Sequence, residues 1–144
     1  SAAEREAGET IMRLCRVPPV NLIGRTTLKQ LLALLERARA LITPDSGPAH
    51  MGTAAGIPVI GLYASTNPDR ARPYLSEQWV VSRYREALWK FNGTTPEKAR
   101  WGTRVRNPEA MDLIQVEDVT ARIDHLMQIS GTSPESRVPN PGSL

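Results

Sequence analysis

At 144 residues the chain has the length of a single domain, and it is 40% hydrophobic but only 5% aromatic, so its core has to be mostly aliphatic. No run of 18 apolar residues offers a membrane-spanning helix, and the first residues carry no charged-then-apolar leader pattern. The single cysteine, Cys15, excludes an internal disulfide and fits a reducing compartment; its apolar neighbours mark it as a small core residue.

In chain order, "SAAEREAGETIMRLCR" reads as a helix, with Ser1 as cap and Ile11, Met12, Leu14 and Cys15 on one face. Pro18 and Pro19 end it. "VNLIG" (Val20 to Gly24) then reads as a short buried strand closed by glycine. Thr26 and Thr27 offer caps for the clearest helix, in which Leu28, Leu31, Leu32 and Leu35 recur at i, i+3, i+4 and i+7. "ALIT" (Ala40 to Thr43) follows as a second strand. Pro48 suits the first turn of a short, small-sided helix that Gly56 stops, and "IPVIGLY" (Ile57 to Tyr63) is a third strand. Strands alternating with helices at this spacing predict an α/β fold with a parallel sheet.

"WVV" (Trp79 to Val81) offers a further strand. Residues 83–112 read as an irregular basic loop, with Trp89 or Trp101 tucked back onto the domain. From Arg83 to Arg106 seven basic residues face two acids, a net +5, while the rest of the chain nets −2. With Trp89, Phe91 and Trp101 in the same segment, contact with nucleic acid, an anionic membrane surface or a phosphorylated lipid is one reading, and a solvated loop the other. "QVEDVTARIDHLMQI" gives a final amphipathic helix, so the domain spans 1–130 and 131–144 reads as a disordered tail. A parallel α/β unit normally opens on a strand, whereas this sequence opens on a helix, so it reads as the later part of a larger fold.

The chemistry gathers in "TPDSGPAH", Thr43 to His50. Parallel sheets bind ligands beyond the carboxyl ends of their strands. Here a strand ends, Gly47 lets the backbone turn close to a ligand, and a helix begins, whose N–H groups and dipole favour an anion. Ser46 adds a hydroxyl and His50 lies in the first turn. Asp45 cannot hold an anion, but it can accept hydrogen bonds from hydroxyls beside one. Polyol next to diphosphate is the chemistry of a nucleotide sugar. The same residues also make an ordinary turn and N-cap that needs no ligand. No Gly-rich dinucleotide motif, P-loop or zinc spacing competes, and no metal is expected.

Together, "GRTTL", "DSGPAH", the small-residue helix, the strand and "STNPDRARPY" resemble the nucleotide-sugar-binding half of the lipopolysaccharide heptosyltransferases of the ADP-heptose type, glycosyltransferase family 9. The likeness runs from about Ser1 to Tyr74, and "MDLIQVEDVTARI" resembles the family's final helix. It implies a Rossmann-like sheet within the C-terminal half of a two-domain GT-B fold. It also implies inverting transfer of heptose from ADP-heptose to the lipopolysaccharide inner core, at the cytoplasmic face of the inner membrane. By the resemblance Asp45 holds heptose hydroxyls; Ser46, Gly47 and His50 line the diphosphate end; Glu4 binds the ribose; and Gly24 to Thr26 edge the adenine pocket. Glu4 reads equally well as an ordinary first-turn acid.

The catalytic residue is unknown, because the family's carboxylate base belongs to an acceptor-binding domain outside these residues. The partners implied are the ADP-sugar donor, used as substrate with no cofactor, the lipid A/core acceptor, and an anionic membrane surface met through 83–106; no nucleic acid is implied. Two rival readings remain: another GT-B-like enzyme, such as a sugar-nucleotide epimerase or a transferase using a different nucleotide, and a non-catalytic nucleotide-binding module.

Overall fold

A computed structural model describes residues 2–131 of the chain. Three parallel strands form its sheet: β1 (Leu41–Pro44), β2 (Val59–Tyr63) and β3 (Val81–Ser82), in the order β1-β2-β3. Leu41 pairs with Val59 and Ile42 with Ile60, while Leu62 and Tyr63 pair with Val81 and Ser82. The expected parallel α/β architecture is thus present.

Helices α1 (Ala2–Leu14) and α2 (Leu28–Leu35) precede β1, and α3 (Gly47–Ala54) joins β1 to β2. Thr27 starts α2 with a complete capping box: its hydroxyl accepts from the Gln30 N–H, and the Gln30 side chain accepts from the Thr27 N–H. Gly52 sets the distance between α3 and the sheet. A Cβ there would lie 2.8 Å from Val59 Cγ2 and 3.0 Å from Leu41 Cδ2, so only glycine lets the helix sit this low.

Val59 and Ile60 point to opposite faces of β2, as strand geometry requires. Val59 meets α3. Ile60 joins Trp79, Val81 and Leu126 in a cluster beneath α6 (Val116–Gly131), backed by Ala40, Leu62, Val119 and Ile123. The sheet is therefore covered on both faces, which explains the unbroken apolar run of β2.

Beyond β2 the chain forms a short helix α4 (Pro68–Ala71) and a 3₁₀ stretch (Tyr74–Trp79), then β3. Helix α5 (Tyr84–Ala87) follows and continues through a π-helical turn (Leu88–Asn92). A second 3₁₀ stretch (Pro108–Leu113) leads into α6. Arg83 ties α5 to α6, its Nε and Nη2 donating to Asp118 at 2.7–3.1 Å and its Nη1 to Glu86 at 2.9 Å.

Several expectations are corrected. "VNLIG" is not a strand: Val20 to Leu22 join no sheet, and Ile23–Gly24 make a turn. A strand is defined by a neighbour, and β1 takes β2 on one side only. The 83–112 segment is not simply a loop. Tyr84, Ala87, Leu88, Val105 and Ala110 close with Ala64 into a second buried cluster, and only Arg83 and 93–107 lack helix and strand. Neither tryptophan is tucked back: Trp89 is 67% and Trp101 72% exposed. Cys15 is exposed and not a core residue. The third and last strands begin two residues later than expected, at Val59 and Val81. Helix α6 runs to Gly131, and the tail expected as disordered lies, apart from that glycine, outside the described residues, as does the Ser1 cap.

Candidate functional site

Helix α3 begins where β1 ends, at its carboxyl edge. Ser46 is the N-cap, in extended conformation, yet its side chain caps nothing. Its hydroxyl donates to the Pro44 carbonyl (3.2 Å) and lies 2.8 Å from Thr43 Oγ1. Ser46 thus braces the turn from behind. Pro48 contributes no N–H, and the Ala49 N–H bonds to the Ser46 carbonyl (3.1 Å). The Gly47 N–H stands at the tip of the helix, where no intrahelical acceptor exists. A Cβ on Gly47 would meet nothing within 4 Å, so the space before the helix is open.

Two hollows lie on either side of this tip. The larger, about 690 Å³, is framed by Glu4, Ala7, Gly8 and Ile11 of α1, by Leu22 to Gly24 and Thr26 of the connecting loop, by Leu31 and Leu34 of α2, and by Pro48. Its walls are mainly aliphatic. Gly8 lets α1 approach the loop, since a Cβ there would lie 2.5 Å from Ile23 Cδ1. Gly24 takes φ +70°, a left-handed turn that glycine adopts without strain. Three of the expected residues, Glu4, Gly24 and Thr26, therefore share one wall.

The smaller hollow, about 230 Å³, is polar. Asp45 and His50 meet Thr66, Asn67, Arg70, Ala71, Gly102 and Arg104 there. The Asp45 side chain is 22% exposed, and Arg104 Nη2 lies 3.9 Å from its Oδ2. Beneath it Tyr63 is buried and donates to the Ala71 carbonyl at 3.2 Å. Burial first, and then the charge of Asp45, push the Tyr63 phenol up to about 12. Asn67 caps α4, accepting from the Asp69 N–H at 2.9 Å.

Of the expected residues, the fold gathers Glu4, Gly24 and Thr26 on one side of the helix tip and Asp45 and His50 on the other. Gly47 is at the tip, and Ser46 lines neither hollow, its hydroxyl bonded to Thr43 and Pro44. Sequence reasoning missed Arg70, Arg104, Thr66 and Gly102. The first and third stand in the quoted "STNPDRARPY" motif, which assigned them no role. Arg104 and Gly102 come from the 93–107 loop; Arg104 was counted only as one of the basic residues of 83–106, and Gly102 carried no signal. Among the described residues, no group of three or more His, Cys, Asp or Glu is placed to hold a metal ion.

The model of one protein family, glycosyltransferase family 9 (heptosyltransferase), matches residues 1–100. Among curated proteins, the chain is 43% identical over 123 residues to the lipopolysaccharide core heptosyltransferase OpsX of Haemophilus influenzae, covering 85% of this chain and 35% of that protein. It is 33% identical over 121 residues to lipopolysaccharide heptosyltransferase 3 of Escherichia coli, covering 82% of this chain and 32% of that one. It is 35% identical over 89 residues to lipopolysaccharide heptosyltransferase 2 of Salmonella typhimurium, covering 56% and 24%. The chain spans about a third of the length of the first two relatives. No solved structure matches.

Proposed function

Because the chain belongs to glycosyltransferase family 9, the heptosyltransferases, we propose that it is the donor-binding part of an enzyme that transfers heptose from ADP-heptose to the lipopolysaccharide inner core. One observation carries this reading: an uncapped helix tip stands between an aliphatic hollow and a polar one. A nucleotide sugar has the same order of parts. Its base suits the aliphatic walls, its ribose hydroxyls suit Glu4, its diphosphate suits the tip of α3, and its sugar suits Asp45.

The chemistry follows from those placements. Transfer with inversion is a direct displacement at the anomeric carbon, in which ADP departs and negative charge grows on its diphosphate. The Gly47 N–H and the dipole of α3 stabilise that charge most when it is fully developed, which lowers the barrier. Asp45 accepts hydrogen bonds from sugar hydroxyls and holds the anomeric carbon in line for attack. The base that deprotonates the acceptor belongs to the other half of a GT-B cleft.

The acceptor is a lipid, so this reading includes work at the cytoplasmic face of the inner membrane. Among the described residues no helix is long and apolar enough to cross a membrane. A peripheral contact through 83–106 is supported by exposed Trp89 and Trp101. It is also supported by charge: Glu86 and Glu97 are paired to Arg83 and Arg85, so Lys90, Lys98, Arg100 and Arg106 are left to face an anionic surface. Sedimentation of the full-length protein with vesicles containing anionic lipid, lost on Trp89→Ala with Trp101→Ala, tests that contact.

The test of the main reading is transfer by the full-length protein from ADP-heptose to a heptose-free core acceptor, with ADP, GDP and UDP as competing products. Inhibition by ADP alone is the expected result. Equal inhibition by all three would move the assignment to another nucleotide.

A further inference from the structure

The polar hollow holds more positive charge than the donor needs. Arg70 reaches it from α4 and Arg104 from the 93–107 loop. A single carboxylate, Asp45, stands against both, and Arg104 spans 3.9 Å to it with 61% of its own side chain exposed. The Arg70 guanidinium makes no ion pair or hydrogen bond with any described residue; only its backbone N–H is bonded, to the Asn67 carbonyl at 3.2 Å. On the same wall the Thr66 Oγ1 is buried with no partner, an arrangement that is costly unless a ligand or water completes it.

The wall is held in place by the backbone. Gly102 takes φ +88°, and a Cβ on it would lie 3.2 Å from Arg70 Nη1, so the guanidinium rests on the glycine. Thr103 closes that turn onto the Arg100 carbonyl through both its N–H (2.9 Å) and its hydroxyl (2.7 Å). The Tyr84 hydroxyl donates to the Thr103 carbonyl at 2.6 Å, and the Val105 N–H donates to the Ser65 carbonyl at 2.9 Å. These bonds fix Gly102 and Arg104 against the carboxyl end of β2.

Two guanidinium forks on one small hollow, with the unpartnered Thr66 hydroxyl buried in its wall, match a phosphate or a carboxylate. Asp45 repels an anion from its own side, so the anion belongs on the arginine side. The donor's diphosphate already has the tip of α3. We propose that Arg70 and Arg104, with the Thr66 hydroxyl, form a separate site for an anionic group, phosphate or carboxylate, carried by the molecule that receives the sugar. The proposal rests on the donor reading only for which part of the site is already taken.

The experiment uses the full-length protein and inorganic phosphate as the probe, titrated calorimetrically with and without saturating ADP. Phosphate binds in both cases, and Arg70→Gln or Arg104→Gln weakens it about tenfold while the ADP affinity stays within about twofold. In steady-state transfer the same variants raise the KM of the acceptor and leave that of the donor unchanged. Expulsion of phosphate by ADP, with loss of ADP affinity in both variants, would assign the arginines to the donor's own diphosphate and overturn the proposal. Phosphate binding indifferent to both substitutions would overturn it as well. Arg104→Lys, which keeps the charge but loses the fork, gives an intermediate loss and guards against misfolding as the cause. ADP failing to bind the unaltered protein would sink the donor reading instead, and the phosphate titration alone would still decide the arginine site.

Discussion

The two hollows beside α3 differ in almost every physical respect. One is about 690 Å³ and walled by Ile11, Leu22, Ile23, Leu31 and Leu34; the other is about 230 Å³ and walled by Asp45, His50, Arg70 and Arg104. The first gains from excluding water from a flat apolar group, the second from hydrogen bonds and charge. They share one boundary, the start of a helix whose tip is polar and uncapped. A ligand that is apolar at one end, anionic in the middle and hydroxylated at the other end satisfies both at once. The division of labour predicts that substitutions on the two sides have separable effects on binding and on transfer.

The largest effect is expected on the polar side. In the full-length protein, Asp45→Ala removes the acceptor for sugar hydroxyls and lowers transfer about ten- to hundredfold, the scale of one or two charge-assisted hydrogen bonds. Steady-state kinetics beside ADP calorimetry checks this, because the ADP affinity stays close to that of the unaltered protein. Gly52→Val erases the comparison altogether. It drives a side chain into Val59 and Leu41, lifts α3 from the sheet and costs about 1–3 kcal/mol of stability. Denaturant unfolding reads that loss, and both ADP binding and transfer fall together. On the aliphatic side Glu4→Ala weakens ADP by about 0.5–1.5 kcal/mol, the scale of a net hydrogen bond, with transfer at saturating donor little changed. Equal losses in both would merge the two sides into one.

Smaller effects come from outside the hollows. Ser46→Ala costs about 0.5–1.5 kcal/mol of stability through its bond to Pro44 and leaves the ADP affinity unchanged, because the hydroxyl faces the strand end. The loop that carries Arg104 is also anchored by Arg85, which pairs with Glu97 and holds its carboxyl down to about 2, aided by the backbone and Thr95. A depressed carboxyl contributes stability above its unfolded pKa and loses it as pH falls through the folded one. Asp118 is lowered in the same way, first by its hydrogen bond from Arg83. Melting temperature therefore declines on acidification from about 4.5 towards about 2, and Arg85→Ala flattens part of that decline.

Much of this architecture was legible, and the failures have definite causes. Strands at 41–44 and 59–63 were readable because they are short, apolar and bounded by glycine, proline and turn residues. The Thr27 cap was readable from local chemistry alone. "VNLIG" looked the same as a strand by composition, yet Val20 is 84% exposed; pairing is a property of two segments and cannot be read from one. Helix α5 was hidden by the basic residues around it. Its buried residues, Tyr84, Ala87 and Leu88, together with Phe91 that packs against them, do recur at i, i+3, i+4 and i+7. At the site, "DSGPAH" marked the strand end and helix start beside which the structure places Asp45, Gly47 and His50, because strand end, glycine and helix start are consecutive. Arg104 was invisible because only tertiary packing carries the 93–107 loop to Asp45. Ser46 was misjudged in orientation: a serine before a helix can brace the turn behind it as readily as face a ligand.

The most direct measurement is a crystal structure of the full-length protein with ADP bound. The account places the adenine between Ile11, Leu22 and Leu34, the ribose against Glu4, and the diphosphate on the Gly47 N–H, with the hollow of Asp45, Arg70 and Arg104 free of nucleotide. Adenine seated instead among Asn67, Arg70 and Gly102, with the aliphatic hollow empty, would contradict it.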